Sequence, residues 1–61
     1  MTGENIKKIR KLRKLTQLEL ANLIGKRQGD ISRWEKGDII PTLCNIHLLA
    51  RALSVNILEL V

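Results

Sequence analysis

The sequence predicts an all-α fold, a compact domain of five short helices. Two observations lead to this prediction: apolar residues recur three and four positions apart, and residue types that cap or end helices stand at the segment boundaries. A third is that no segment shows the strict alternation of apolar and polar residues that is typical of strands. Because 61 residues suffice for about one minimal domain, residues 1–61 are expected to form a single domain.

The first helix is expected to begin at a cap on Thr2 and to end near Lys14. Lys and Arg residues separate its apolar positions, which predicts an amphipathic helix with a basic outer face. The residues of the apolar face are Ile6, Ile9, Leu12 and Leu15.

The second helix is predicted to lie between Thr16 and Gly25. Thr16 can accept a hydrogen bond from the first turn, and Glu19, three residues later, can reach back to it as a capping box. Gly25 is the residue type that most often ends a helix in the left-handed conformation. This helix is therefore short, with an inner face made by Leu20, Ala21 and Ile24.

The third helix is predicted to follow Lys26 and Arg27 and to end at Gly37, and its two faces differ sharply. One face carries Ile31, Trp34 and Glu35, so Trp34 is expected to pack in the core rather than to stack on a base. The other face contains no apolar side chain. Its residues are Gln28, Gly29, Ser32, Arg33 and Lys36.

The fourth and fifth helices are each predicted from a capping residue. Thr42 is the expected cap of the fourth, which follows the loop that ends at Pro41. Asn56 caps the fifth, which is expected to run through Leu60 with Glu59 three residues after the cap. The fourth helix shows helical spacing at Leu43, Ile46, His47, Leu49, Ala50 and Leu53.

Positive charge is concentrated in the first part of the chain. Residues 1–37 carry ten Lys and Arg against four Asp and Glu, a balance of +6, whereas residues 38–61 carry one against two, a balance of −1. This division favours nucleic acid as the partner, with an acidic membrane surface as the second choice and a merely solvated helix face as the plain alternative.

Several classes of protein are disfavoured. No apolar run reaches the roughly 18 residues of a membrane span, and the first residues lack a signal-peptide pattern, so a soluble cytoplasmic protein is expected. The lone Cys44 cannot form an internal disulfide.

Cys44 and His47 stand three residues apart but lack the further ligands of a structural zinc site. With one His and no Gly-rich phosphate loop, neither catalysis nor a metal or cofactor is predicted.

The junction at Gly25 is the feature that points to function. Two short helices joined by a turn that begins with Gly predict a helix-turn-helix over residues 17–36, in which a polar helix face can enter a DNA major groove about 12 Å wide. At these residues the chain resembles the family of the phage lambda and 434 repressors and Cro. The matching motifs are Leu15-Thr16-Gln17, Leu20-Ala21, Ile24-Gly25, Gln28, Ile31-Ser32-Arg33-Trp34-Glu35-Lys36-Gly37, Pro41-Thr42-Leu43 and Leu49-Ala50-Arg51-Ala52-Leu53.

The resemblance implies a regulator of transcription, a repressor in a prokaryotic or phage setting, that binds double-stranded DNA as a homodimer. It implies that Gln28 reads adenine and Arg33 reads guanine, with Gly29 and Ser32 close to the bases. The residues that it implies at backbone phosphates are Gln17, Lys26, Arg27, Lys36 and Arg10.

The resemblance also implies a structural pair between Arg10 and Glu35, and a dimer surface in the carboxy-terminal part that includes Leu48 and Leu58. Asp30, unhelpful near phosphate, is expected to point aside toward Arg27 or Lys26. The chain departs from the family at Lys26, where an apolar residue is usual, at Arg27, where a Ser or Thr cap is usual, and at Gly29, a poor helix former.

Two other functions stay open. The excess of exposed Leu, including Leu18, would suit an antitoxin or an adaptor that uses the same fold to bind a protein such as a toxin. The basic first half would also suit nucleic-acid binding without sequence preference.

Overall fold

The fold is given by a computed structural model, which describes residues 2–61. It consists of four α-helices, α1 (Thr2–Leu12), α2 (Gln17–Ile24), α3 (Gln28–Lys36) and α4 (Leu43–Leu53), followed by a 3-10 helix (Ile57–Glu59). Residues 2–61 contain no strand. The all-α class is confirmed, and none of the helices in this range is long and apolar enough to cross a membrane.

The predicted fifth helix is wrong as an α-helix. Asn56 is its cap, as expected, since the Asn56 side chain accepts from the Leu58 N–H over 3.0 Å and Glu59 accepts from the Asn56 N–H over 3.0 Å. Only three residues follow before the fully buried Leu60, and the bonds that close the turn run from Glu59 to Asn56 and from Leu60 to Ile57. Bonds between residues three apart define a 3-10 turn, which suits so short a segment.

The bounds of α1 differ from the prediction at both ends. Thr2 lies within the helix instead of capping it, and the helix ends at Leu12, two residues before Lys14. Lys14 adopts a left-handed backbone with φ of 58°, and the Leu15 N–H bonds to the Arg10 carbonyl over 3.1 Å. This bond closes a Schellman-type end, a device that usually employs glycine and was therefore not expected at a lysine.

The boundaries of α2 agree with the sequence. The Thr16 hydroxyl accepts from the Glu19 N–H over 3.1 Å, and the Glu19 carboxylate accepts from the Thr16 N–H over 2.9 Å, which completes the predicted capping box. Gly25 has φ of 68°, as expected for a left-handed helix end. At the start of α4, the Thr42 hydroxyl accepts from the Asn45 N–H over 3.3 Å.

The core brings α3 against α1 and α2, and α4 against α2, α1 and the 3-10 helix. Leu12 is not part of it, being 67% exposed, because the buried positions on α1 are taken by Ile6, Ile9 and the aliphatic and charged parts of Arg10. Leu43 and His47 likewise lie on the outside of α4. The buried apolar residues are Ile6, Ile9, Leu20, Ala21, Ile24, Ile31, Trp34, Ile46, Leu49, Ala50, Leu53 and Leu60.

Gly3 allows the beginning of α1 to approach the end of α3 closely. A Cβ atom at Gly3 would overlap the carbonyl oxygen of Trp34 and would lie 2.8 Å from that of Glu35. Because these are backbone atoms, a larger residue would require one helix to move. Gly3 was not singled out from the sequence, since only the approach of α3 makes glycine necessary there.

Two side chains, one on α1 and one directly after it, form hydrogen bonds to the carboxy-terminal part. Arg13 Nε donates to the carbonyl of Leu53 over 2.8 Å, at the last residue of α4. Asn5 Nδ2 donates to the carbonyl of Leu60 over 3.3 Å. These bonds satisfy carbonyls that the ends of helices leave without partners.

Candidate nucleic-acid interface

The turn between α2 and α3 is closed by backbone hydrogen bonds. The Lys26 N–H donates to the Ala21 carbonyl over 2.9 Å, and the Gly25 N–H to the Asn22 carbonyl over 3.4 Å. Arg27 then returns to an extended conformation with φ of −93° and ψ of 152°. Three residues thus redirect the chain from α2 into α3, which is the geometry expected of a helix-turn-helix.

The two faces of α3 are separated as the sequence predicted. Ile31, Trp34 and Glu35 are buried against α1 and α2. On the opposite face, Ser32 is half-buried and the other four residues are exposed. That outer face carries Gln28, Gly29, Ser32, Arg33 and Lys36. It presents amide, hydroxyl, guanidinium and ammonium groups, which match the donors and acceptors of base edges and phosphates.

The start of α3 lacks a complete cap. Arg27 stands at the cap position, where its side chain offers no acceptor for the N–H groups of the first turn. Only the reverse bond is present, in which the Asp30 carboxylate accepts from the Arg27 N–H over 3.2 Å. Asp30 therefore turns toward Arg27, one of the two neighbours that the sequence suggested, but its partner there is the backbone N–H of Arg27 and not the side chain.

Asp30 has a second neighbour that was not predicted. Its Oδ1 atom lies 3.6 Å from Nη1 of Arg33, one helical turn later. The spacing of three residues between an acid and a base is a sequence signal that could have revealed the pair. The consequence is that the base-reading candidate Arg33 has an anionic neighbour on its own helix.

Arg10, Gln17 and Glu35 form one hydrogen-bonded network. Arg10 donates from Nε to Glu35 Oε2 over 2.6 Å, from Nη2 to Oε1 over 3.1 Å, and from Nη1 to the Leu15 carbonyl over 2.8 Å. Gln17 donates from Nε2 to Glu35 Oε1 over 3.1 Å. The network joins α1, α2 and α3, and no buried side-chain nitrogen or oxygen among residues 2–61 is left without a partner.

The network bears on two of the residues expected at phosphates. All three guanidinium nitrogens of Arg10 have acceptors within the protein, and Arg10 and Glu35 are both buried. Gln17 is half-buried and keeps its amide oxygen and one N–H for another partner. Phosphate contacts by Gln17 and Arg10 stay predictions.

The other basic candidates are exposed and carry no ion pair. Within the described part of the chain, acidic partners lie within salt-bridge distance of Arg10 and Arg33 alone. Lys26 and Arg27 in the turn, and Lys36 in the last turn of α3, are all exposed. These three side chains flank the outer face of α3 with uncompensated positive charge, which is suited to phosphate.

The candidates for a dimer surface and for a metal lie on α4 and on the 3-10 helix. Leu48 on α4 and Leu58 on the 3-10 helix are exposed, Leu58 by 74%, and the two elements pack against each other. A cavity of about 410 Å³ beside Leu48 is also lined by Leu23 and Arg51. Cys44 and His47 are exposed, and the described residues include no group of three or more His, Cys, Asp or Glu that could hold a metal ion.

Comparisons with known proteins place this geometry in context. The model of a helix-turn-helix family matches residues 6–60. Antitoxin PezA of Streptococcus pneumoniae serotype 4 is 34% identical over 61 residues, a match that covers 100% of this chain and 39% of the antitoxin. The chain thus spans about two fifths of the length of that curated relative.

A solved structure shows the same fold. The restriction-modification controller protein C.AhdI from Aeromonas hydrophila has a TM-score of 0.94 to this chain at 32% sequence identity. The superposition covers 98% of this chain and 87% of the controller protein.

Proposed function

The chain belongs to the helix-turn-helix family whose model matches residues 6–60, and from that premise we propose that it is a sequence-specific regulator of transcription that binds double-stranded DNA. The membership confirms the resemblance that the sequence motifs indicated. The observation that carries the proposal is the exposed, wholly polar outer face of α3, opposite a face that α1 and α2 bury. Such a helix can enter the major groove without exposing the core.

Base reading is assigned to the residues of that outer face. Gln28, at the first position of α3, can engage N6 and N7 of adenine together. Arg33 can engage O6 and N7 of guanine in the same bidentate manner. Gly29 and Ser32 are small, and so allow the helix to come close to the base edges.

The contacts that fix the position of the protein along the duplex are assigned to residues around α3. Lys26, Arg27 and Lys36 flank its outer face and would contact phosphates, as would Gln17 at the start of α2. Arg10 is the weakest member of this set because its donors already bond within the protein. Such contacts fix orientation but carry no sequence information.

The protein acts as a homodimer on a two-fold symmetric site, with residues 1–61 as its DNA-binding domain. The exposed apolar side chains of Leu48 and Leu58 would pack against the second copy. Half-sites would then lie about one helical turn, 34 to 36 Å, apart. Bound to such a site, the protein would block transcription as a repressor. It would act in the cytoplasm of a prokaryote or of a cell that carries a phage.

A second function is favoured by one observation, the similarity to antitoxin PezA. An antitoxin needs a surface for its toxin in addition to the DNA-facing helix. Exposed leucines at positions 18, 48 and 58 would provide apolar contacts for it. Co-purification of a small protein encoded next to this gene, lost in Leu18→Asp or Leu58→Asp but not in Lys36→Ala, would support this function.

Selection of binding sites from random duplex DNA tests the main proposal. Enrichment of a two-fold symmetric motif is the expected result, because a dimer presents two α3 helices to successive major grooves. Recovery of unrelated sequences would contradict sequence-specific binding and would leave only attraction to phosphates.

A further inference from the structure

Arg33, the candidate for reading guanine, does not extend freely from α3. Its Nη1 atom lies 3.6 Å from Oδ1 of Asp30, and the side chains are 53% and 38% exposed, respectively. An exposed ion pair of this kind adds little to folding stability. Its larger effect is on the conformation of Arg33, because a long flexible side chain is drawn toward one fixed point.

Asp30 is suited to be that fixed point. Its Oδ2 atom accepts from the backbone N–H of Arg27 over 3.2 Å, at the residue that precedes α3. One carboxylate oxygen is therefore bonded to the backbone while the other faces Arg33. The carboxylate is thus held at the start of the helix by a bond that does not involve the arginine.

Gly29 provides the space that the guanidinium uses. A Cβ atom at Gly29 would lie 3.2 Å from Nη1 of Arg33 and 3.7 Å from both its Cζ and its Nη2. The guanidinium group thus lies in contact with the place where any other residue would carry its Cβ atom, and Nη1 would have to move by a few tenths of an ångström to admit one. The backbone does not require glycine there, since the glycines with positive φ are Gly25 and Gly37.

We propose that Asp30 and Gly29 are specificity-determining residues that position Arg33 for bidentate contact with one guanine. The inference rests on the proposed function. Nη1 is directed to Asp30, and the described residues offer no acceptor to the edge formed by Nε and Nη2. Two parallel N–H groups on that edge match O6 and N7 of guanine. The charge of Asp30, unfavourable near phosphates, is balanced by the arginine that it positions.

The experiment compares binding to a selected duplex with binding to the same duplex in which the guanine assigned to Arg33 is replaced by adenine. The assignment comes from the base position at which Arg33→Ala loses its preference. The wild type should discriminate by about tenfold to a hundredfold, the range of one bidentate pair. Gly29→Ala and Asp30→Ala should each reduce this ratio to a few-fold.

Two controls separate positioning from structure and from charge. Gly29→Ala changes no charge and introduces a better helix former, so its urea midpoint should equal or exceed that of the wild type while its discrimination falls. If residue 29 affected only the stability of α3, Gly29→Ala would leave the discrimination ratio unchanged. Asp38→Ala removes an exposed acidic residue that follows α3, and it should leave the discrimination ratio unchanged.

Each outcome has a defined meaning. If the wild type enriches no motif, the proposed function fails, and this proposal with it. If a motif is enriched but Arg33→Ala changes no guanine preference, or if Gly29→Ala and Asp30→Ala keep the full ratio, the positioning role is wrong and the regulator stands. If Asp38→Ala lowers the ratio as much as Asp30→Ala, the carboxylate acts through overall charge and the positioning role is again wrong.

Discussion

The guanidinium of Arg10 donates to both carboxylate oxygens of Glu35, over 2.6 and 3.1 Å, and so connects α1 directly to α3. Both residues are buried, and Gln17 adds a third hydrogen bond from α2 to the same carboxylate. Charge-assisted bonds of this kind are short and directional. The inner face of α3 is thereby fixed against the two helices that precede it, which leaves its outer face in a defined orientation.

Glu35→Ala is expected to unfold much of the protein at room temperature. The variant leaves Arg10 buried without its anion, a change that costs about 3–5 kcal/mol. A chain of this size has a total stability of only about 3–9 kcal/mol. Circular dichroism and urea titration measure the loss. The double variant Arg10→Met, Glu35→Leu should refold, because apolar residues often replace a buried pair without cost. A double variant as unfolded as Glu35→Ala would show that the unpaired charge is not the cause.

Gly3→Ala is expected to destabilise the fold by about 1–3 kcal/mol, the usual cost of overpacking. The added methyl group would meet the carbonyl oxygens of Trp34 and Glu35, so α1 and α3 would have to separate. Urea midpoints measure the effect. Lys8→Ala, an exposed change on the same helix, should stay within about 0.5 kcal/mol of the wild type. Equal midpoints for the two variants would contradict the close approach of the helices.

Arg33→Ala and Lys36→Ala should weaken DNA binding in different ways. Loss of Arg33 should cost about 1–3 kcal/mol on the selected site and relax the preference at one base position. Loss of Lys36 should weaken binding to all sequences alike and should lower the slope of affinity against salt by about one. Titrations of the selected and a scrambled duplex at several salt concentrations distinguish them. An equal loss on both duplexes for Arg33→Ala would rule out its base-reading role.

Leu58→Asp is expected to shift the protein from dimer to monomer, since a charge would be placed in the apolar contact between copies. Sedimentation at micromolar concentrations measures the state. Ile40→Asp is the matched control, because Ile40 is 79% exposed and Leu58 is 74% exposed, but Ile40 lies in the loop before α4. If both variants keep the mass of the wild type, or if both lose association equally, the dimer surface lies elsewhere.

The helices whose ends are set by local chemistry could be predicted from the sequence. Local bonds to residues at most five positions away set both ends of α2, the end of α3 and the start of α4. The residues that make them are Thr16 with Glu19, Gly25, Gly37 and Thr42. The two faces of α3 were also predictable, because the periodicity of nine residues is enough to separate them. The pairing of Arg10 with Glu35 entered through the family resemblance.

The remaining features depend on contacts between residues distant in sequence, or on residues in conformations that their type rarely adopts. Leu12 is exposed although it follows Ile9 at helical spacing, because the buried face of α1 is centred on Ile6, Ile9 and Arg10. The need for glycine at position 3 arises only from the approach of α3. The ion pair of Asp30 with Arg33 had a local signal, but which neighbour an exposed acid prefers is decided by side-chain geometry.

A competition titration shows whether α3 reads base sequence. The protein is titrated with the duplex enriched in the selection and with a scrambled duplex of equal length and composition, each at low and at near-physiological salt. The selected duplex should bind at least about 10³-fold more tightly than the scrambled one at the higher salt. Equal affinity for the two duplexes, lost together as salt rises, would contradict it and would reduce the interaction to phosphate attraction.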